Sequence, residues 1–103
     1  MATRKGDMMI GTHKTKISRD DGVIRVRYHN TDVVTVEVTG TVTLNTGGYF
    51  TATTKKRMNQ AAEHYGLGFK VKQVDWTWYV ELENKELLTF DGNTLVILPT
   101  DYA

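Results

Sequence analysis

The sequence contains no cysteine, a single proline and no long apolar run, and each shortage excludes a class of protein or site. Without cysteine there can be no disulfide, no thiolate zinc site and no cysteine nucleophile. No run approaches the roughly 20 apolar residues of a membrane-spanning helix, so we expect no membrane partner. The first apolar run, Met8-Met9-Ile10, is too short for a signal peptide, and we expect an unprocessed cytoplasmic protein.

The remaining composition is that of an ordinary globular chain. Its 103 residues are 40% hydrophobic and 24% charged, which suits one modest core. We therefore expect a single domain over residues 1–103, with residues 1–11 and 100–103 mobile.

The net charge of +1 conceals a segregation of charge along the chain. Residues 1–31 carry a net charge of +4 and residues 53–72 carry another +4, whereas residues 32–52 carry −2 and residues 73–103 carry −5. Such blocks can form opposed binding faces. They can equally place basic strands beside acidic strands of the same sheet.

Alternation of apolar and polar residues is the dominant pattern of the first half. In the segment VIRVRYHN, Ile24, Val26 and Tyr28 fall on one face, and Arg25 and Arg27 fall on the other. The segments TDVVTVEV and TVTL continue the alternation, which is typical of half-buried strands. Short turn segments separate the runs and predict antiparallel hairpins: Asp20-Asp21-Gly22, His29-Asn30-Thr31-Asp32, Thr39-Gly40 and Asn45-Thr46-Gly47-Gly48.

A helix interrupts the strands near residues 54–65. Four residues have the i, i+3, i+4, i+7 spacing of its inner face: Met58, Ala61, Ala62 and Tyr65. Thr53 or Thr54 can cap its start, and Gly66 can close it in a left-handed conformation. Strand patterns then resume to the end of the chain. The sequence thus predicts an α+β fold, a strongly twisted antiparallel sheet or small barrel of about 7–8 strands with this helix packed on it.

Signatures of catalysis are weak. His29 and Asp32 could form a base with its orienting partner or a weak metal pair, but a turn with polar capping residues explains them better. The segment NTGGYF lacks the Lys-Ser/Thr of a phosphate-binding loop, and we expect a hairpin turn there. We therefore expect no catalytic activity, no bound metal and no cofactor.

The start of the helix carries the most distinctive polar cluster. Lys55, Lys56 and Arg57 oppose the helix dipole at a cost of a few tenths of a kcal/mol each. No acid follows three or four residues later to offset them. With the amides of Asn59 and Gln60 they form a set suited to phosphate contacts. The alternatives are a solvated helix face, or cations that reach the acids of residues 81–86 of the same chain.

Two strand features extend this nucleic-acid hypothesis. Arg25 and Arg27 share a strand face and would enlarge a phosphate footprint. Trp76 and Trp78 share a strand face and, if exposed, could stack bases, but apolar residues continue that face, which favours both rings in the core. Tyr79 would then be the exposed aromatic that adds a contact. Residues 49–50, an aromatic pair beside two glycines, become candidates for a contact at a hairpin tip.

The segment GGYFTATTKKRMNQ, followed by DWTWYV, resembles small uncharacterised proteins of tailed bacteriophages. That resemblance implies a bacterial host cytoplasm during infection and carries over no catalytic or binding residues. The matching positions are Tyr49, Thr51, Thr53, Thr54, Lys55, Arg57, Asn59, Trp78 and Tyr79.

Two functional hypotheses follow. The leading one is a non-enzymatic phage-type accessory protein that binds nucleic acid electrostatically through the basic helix start and the arginine-bearing strand. The alternative is a protein-interaction module, either an inhibitor of a host factor or an oligomeric phage structural component. That module would use the acidic C-terminal third, Glu81 to Asp91, or an open sheet edge.

Overall fold

The computed structural model describes residues 14–90 and 93–99, which form eight strands and one helix. The strands before the helix are β1 (Thr15–Asp20), β2 (Val23–Tyr28), β3 (Thr31–Val36) and β4 (Val42–Asn45). The helix α1 (Ala52–Tyr65) is followed by β5 (Phe69–Val74), β6 (Thr77–Leu82), β7 (Leu87–Phe90) and β8 (Thr94–Ile97). The α+β prediction is confirmed. The tails expected to be mobile, residues 1–11 and 100–103, lie outside the described residues.

The strands form two antiparallel sheets, not the one sheet or closed barrel that the sequence suggested. The first sheet has the order β1-β2-β3-β4-β8, and the second has the order β5-β6-β7. The difference arises because β8 pairs with β4, with Leu44 opposite Leu95, instead of continuing the β6-β7 ladder. Thr46 N donates to Asn93 O at 2.8 Å and anchors the start of β8 beside the end of β4.

The glycine-rich segment after β4 leads into the helix, so the predicted hairpin turn at this position is wrong. Asn45 Oδ1 accepts a hydrogen bond from Gly47 N at 2.8 Å, and Thr46 Oγ1 accepts one from Gly48 N at 3.1 Å. Gly47 also lies against the side chain of Thr31, where a Cβ atom would clash. The segment is a tight turn that delivers the chain to the start of α1.

The helix begins earlier than predicted. Thr51 is its N-cap, with an extended backbone (φ −104°, ψ 160°) and a side chain that accepts from Thr54 N at 3.2 Å. The predicted caps, Thr53 and Thr54, therefore lie inside the first turn. Gly66 closes the helix with φ 62°, as predicted, and Leu67 N donates to Ala62 O at 2.8 Å.

The core lies between the helix and the inner faces of the two sheets. Its fully buried members include Met58 and Ala61 of α1, Val26 and Val34 of the first sheet and Val80 of the second. The predicted inner face of the helix is thus confirmed.

The two tryptophans separate in the structure. Trp78 is 2% exposed, as predicted, and its ring contacts Phe90. Trp76 is 90% exposed, so its predicted place in the core is wrong. The physical reason is that Trp76 lies in the two-residue turn between β5 and β6, where the strand alternation stops.

Asn59 fastens the helix to the edge strand of the second sheet. Its Nδ2 donates to Val71 O at 3.0 Å, and its Oδ1 accepts from Val71 N at 2.7 Å. The side chain thereby satisfies both backbone groups of Val71, at the unpaired edge of β5. Asn59 is a structural residue of this fold.

We expect Asn59→Ala to lower the free energy of unfolding by about 2–4 kcal/mol, because two hydrogen bonds are lost and the backbone groups of Val71 are left without them. Lys56→Ala on the exposed helix face is the matched control and should stay within about 0.5 kcal/mol of wild type. Urea denaturation followed by circular dichroism measures both. Equal stabilities for the two variants would contradict the structural role of Asn59.

Candidate nucleic-acid interface

An open groove of about 550 Å³ runs between the outer face of α1 and the start of β5. We call it the helix–strand groove. Four predicted site residues meet there, and Lys70 joins them from the strand. Its lining consists of Ala52, Lys55, Lys56, Asn59, Gln60, Glu63, Phe69 and Lys70.

Lys55 and Lys56, at the end of the first helical turn and the start of the second, have no carboxylate partner among the described residues. Lys55 Nζ donates to Gln73 Oε1 at 3.4 Å and lies 5.9 Å from the centre of the Trp78 ring. Lys56 is exposed, and its side chain forms no ion pair within residues 14–90 and 93–99. The first turn contains no acid. Within the described part of the chain, neither lysine reaches the acids of residues 81–86.

Arg57 occupies a different position from the one predicted. It is only 6% exposed, its Nε donates to Thr15 Oγ1 at 2.9 Å, and its Nη1 donates to Gln60 Oε1 at 3.0 Å. Its guanidinium also lies 5.8 Å from the centre of the Tyr28 ring. These contacts commit Arg57 to joining α1 to the first sheet, which corrects its prediction as an unpaired phosphate contact.

The sequence did contain a signal for this position. Residues four apart on a helix share a face, and Arg57 precedes the core residue Ala61 by four positions.

Asn59 lines the groove, but the side-chain amide of Asn59 is engaged with the backbone of Val71. The groove therefore offers Lys55 and Lys56 as its cations from the helix.

Arg25 and Arg27 lie on the far side of the first sheet. Their strand neighbour Val26 is fully buried toward the helix, so alternation points both arginines away from it. Arg27 Nε forms an ion pair with Asp32 Oδ1 at 3.0 Å, and Arg25 stands opposite Thr35. The strand arginines and the helix lysines do not form one continuous surface.

Tyr79 lies on a third surface, the face of the second sheet that points away from α1. It is half-buried and stands opposite Lys72 and Thr89. On the same face Lys72 Nζ contacts Glu81 Oε2 at 3.1 Å. A basic strand and an acidic strand are therefore paired here, as one interpretation of the charge pattern predicted.

The hydrogen bond from Lys72 lowers the pKa of Glu81 below its ordinary value, and the positive charge of that lysine acts in the same direction. A carboxylate whose pKa is lower in the folded than in the unfolded state stabilises the fold above the unfolded pKa. That contribution is lost as the pH falls through the folded pKa. Glu81 thus stabilises the sheet at neutral pH, and this stabilisation is lost in the acid range.

An aromatic cleft of about 290 Å³ lies near Lys55, and Phe50, one of the two residues that the sequence marked for a contact at a hairpin tip, lines it. The ring of Phe50 stands edge-on to Trp78 at a centroid distance of 5.0 Å. Phe50 is 44% exposed and the indole of Trp76 projects into solvent. The cleft is lined by Phe50, Trp76, Thr77, Trp78 and Phe90. The signal for an exposed Trp76 was its place after Asp75, a turn-forming residue.

Other kinds of site find no support in the described residues. Within residues 14–90 and 93–99, no three His, Asp or Glu side chains converge as a metal site would require. In the same part of the chain, no helix is long and apolar enough to cross a membrane.

We expect Arg57→Ala to destabilise the fold by about 2–4 kcal/mol, because it removes two charge-assisted hydrogen bonds and a cation–π contact. Arg57→Lys should recover only part of this loss, since an ammonium cannot reproduce the guanidinium fork. Urea denaturation gives both values, with Lys56→Gln as the exposed control. Wild-type stability in Arg57→Ala would show that the guanidinium does not join the helix to the sheet.

Comparisons with known proteins give one family. Among curated proteins and among solved structures, none matches the chain. A family model described as "Kyanoviridae Gp96 protein" matches residues 1–96, nearly the whole chain, and confirms the resemblance to small phage proteins. The chain therefore belongs to the Kyanoviridae Gp96 protein family, a family of phage proteins.

Proposed function

We propose that this phage protein binds nucleic acid through the helix–strand groove, as a non-enzymatic accessory protein in the cytoplasm of the bacterial host. One observation carries the proposal. Lys55 ends the first turn of α1 and Lys56 begins the second, the first turn contains no acid, and no carboxylate of the described residues pairs with either lysine.

The energetics of the helix start favour an anionic ligand. Two cations among the first five residues of the helix, near the positive end of its dipole, raise the free energy of the unbound chain. A phosphate bound at this position would be attracted by both the ammonium groups and the dipole. Binding would therefore turn an unfavourable arrangement of charges into a favourable one.

The charges that line the groove also indicate where the phosphates of the ligand would lie. Lys70 on β5 adds a third cation to the lining, whereas Glu63 adds a carboxylate about two turns beyond Lys56 along the helix. Phosphates should therefore lie closest to Lys55 and Lys56 and reach Lys70 at the Glu63 end of the groove, where that carboxylate weakens the contact. The strand arginines and Tyr79 fall outside this footprint.

The proposal predicts a salt-sensitive complex lost in the double variant Lys55→Gln/Lys56→Gln. With three phosphate contacts, affinity should fall about 20- to 40-fold between about 50 and 200 mM salt. Removing two contacts should lower the slope of log K against log salt by about 1.4–1.8. Fluorescence anisotropy of labelled oligonucleotides measures both quantities, and circular dichroism confirms the fold of the variant.

The matched control is Arg25→Gln/Arg27→Gln, which removes the same charge from the opposite side of the first sheet. It should leave the salt slope almost unchanged. Binding lost in this control and retained in the lysine variant would move the site to the strand arginines and overturn the proposal. A salt-insensitive complex with a host protein, seen as a larger mass in solution, would favour a protein-interaction module instead.

A further inference from the structure

The turn that carries Trp76 has an unfavourable residue at its second position. Asp75 and Trp76 have φ angles of 50° and 70°, and they join the paired residues Val74 and Thr77. Two left-handed residues in a two-residue loop form a type I′ turn, for which Asp-Gly and Asn-Gly are strongly preferred. A tryptophan in this conformation is strained, because its Cβ crowds the backbone.

The same chain builds a type I′ turn with the preferred residues elsewhere. Asp21 and Gly22, between β1 and β2, have φ angles of 51° and 81°. The two hairpins thus share a geometry and an aspartate, and differ in having glycine in one and tryptophan in the other. Packing does not compensate for the strain at Trp76, because this side chain is 90% exposed. A strained and exposed aromatic residue is more easily explained by a ligand than by stability.

The surroundings of the indole indicate the chemistry of that ligand. The aromatic cleft has three further rings, from Phe50, Trp78 and Phe90, and its lining contains no charged side chain. Lys55 connects the cleft to the helix–strand groove, because it lines the groove and lies 5.9 Å from the Trp78 ring centre. A flat apolar group would pack against the rings of the cleft, and a phosphate attached to that group would be attracted to Lys55.

We propose that the aromatic cleft takes one unpaired nucleobase, stacked on Trp76, so that the nucleic acid bound by the groove is single-stranded. This inference rests on the proposed function and specifies its ligand. In a duplex both faces of a base are covered by its neighbours, whereas a single strand can place a base on an exposed aromatic ring. The carboxylate of Asp75, beside Trp76, would keep the attached phosphate on the side of Lys55.

The decisive variant is Trp76→Gly, because it separates folding from binding. Glycine should relieve the strain of the turn and raise the melting temperature by a few degrees. The same change should weaken the binding of a labelled oligothymidylate of about 12 nucleotides by about 5- to 150-fold, the loss expected for one stacked base. Trp76→Phe should retain part of the affinity, since it keeps an aromatic ring.

Two probes and one control variant complete the design. An oligonucleotide of the same length with abasic sites keeps the phosphates, so its weaker binding should not change in Trp76→Gly. A duplex of the same length should bind less tightly than the single strand. Val74→Ala removes an exposed apolar side chain from the same hairpin but outside the cleft, and should leave all affinities unchanged.

The outcomes distinguish this inference from the proposed function. Salt-sensitive binding that depends on Lys55 and Lys56 but is unaffected by Trp76→Gly would overturn the base-stacking site alone. Absence of salt-sensitive binding to every probe would overturn both proposals. Self-association of the wild-type chain in sedimentation experiments, abolished by Trp76→Gly without any effect on oligonucleotide binding, would assign the indole to a protein contact.

Discussion

The position of the helix between the two sheets depends on two polar side chains. Arg57 joins α1 to the first sheet through Thr15 and Tyr28, and Asn59 joins it to the edge of the second sheet through Val71. With the apolar inner face of the helix, these contacts fix its rotation. That rotation directs Lys55 and Lys56 outward. The positive charge at this surface is therefore a consequence of the contacts that hold the helix against the two sheets.

The proposed site is a region where stability and binding oppose each other. Cations oppose the dipole at the helix start, and an aromatic residue adopts a left-handed turn at the neighbouring hairpin. Both features lie around Lys55, at the junction of the helix–strand groove and the aromatic cleft. Other turns show locally favourable choices, such as the Asp21-Gly22 turn and the Gly66 helix end, although His29 and Lys85 are also left-handed. Departures from local preference that meet at one place are expected at functional sites.

Local patterns predicted much of the fold because they depend on near neighbours in sequence. Strand alternation, the inner helix face and the left-handed Gly66 required only period and turn chemistry. The pairing of β8 with β4 could not be predicted, because its ladder joins residues about 50 positions apart. Trp76 was misplaced because strand alternation was extended through a turn. The buried position of Arg57 follows from its spacing of four residues from Ala61, which outweighs its charge. The groove could not be predicted, because it depends on the packing of β5 beside the helix.

The most direct test of the central claim, that the helix–strand groove is the anion site, is an NMR titration. The ¹⁵N-labelled full chain would be titrated with a short single-stranded oligonucleotide at low salt, and shifts of backbone amides and of both indoles would be followed. The account predicts that the largest shifts cluster at residues 52–60 and 70–76, with the indole of Trp76 moving more than that of Trp78. Shifts centred on Arg25 and Arg27, or no shifts at all, would contradict it.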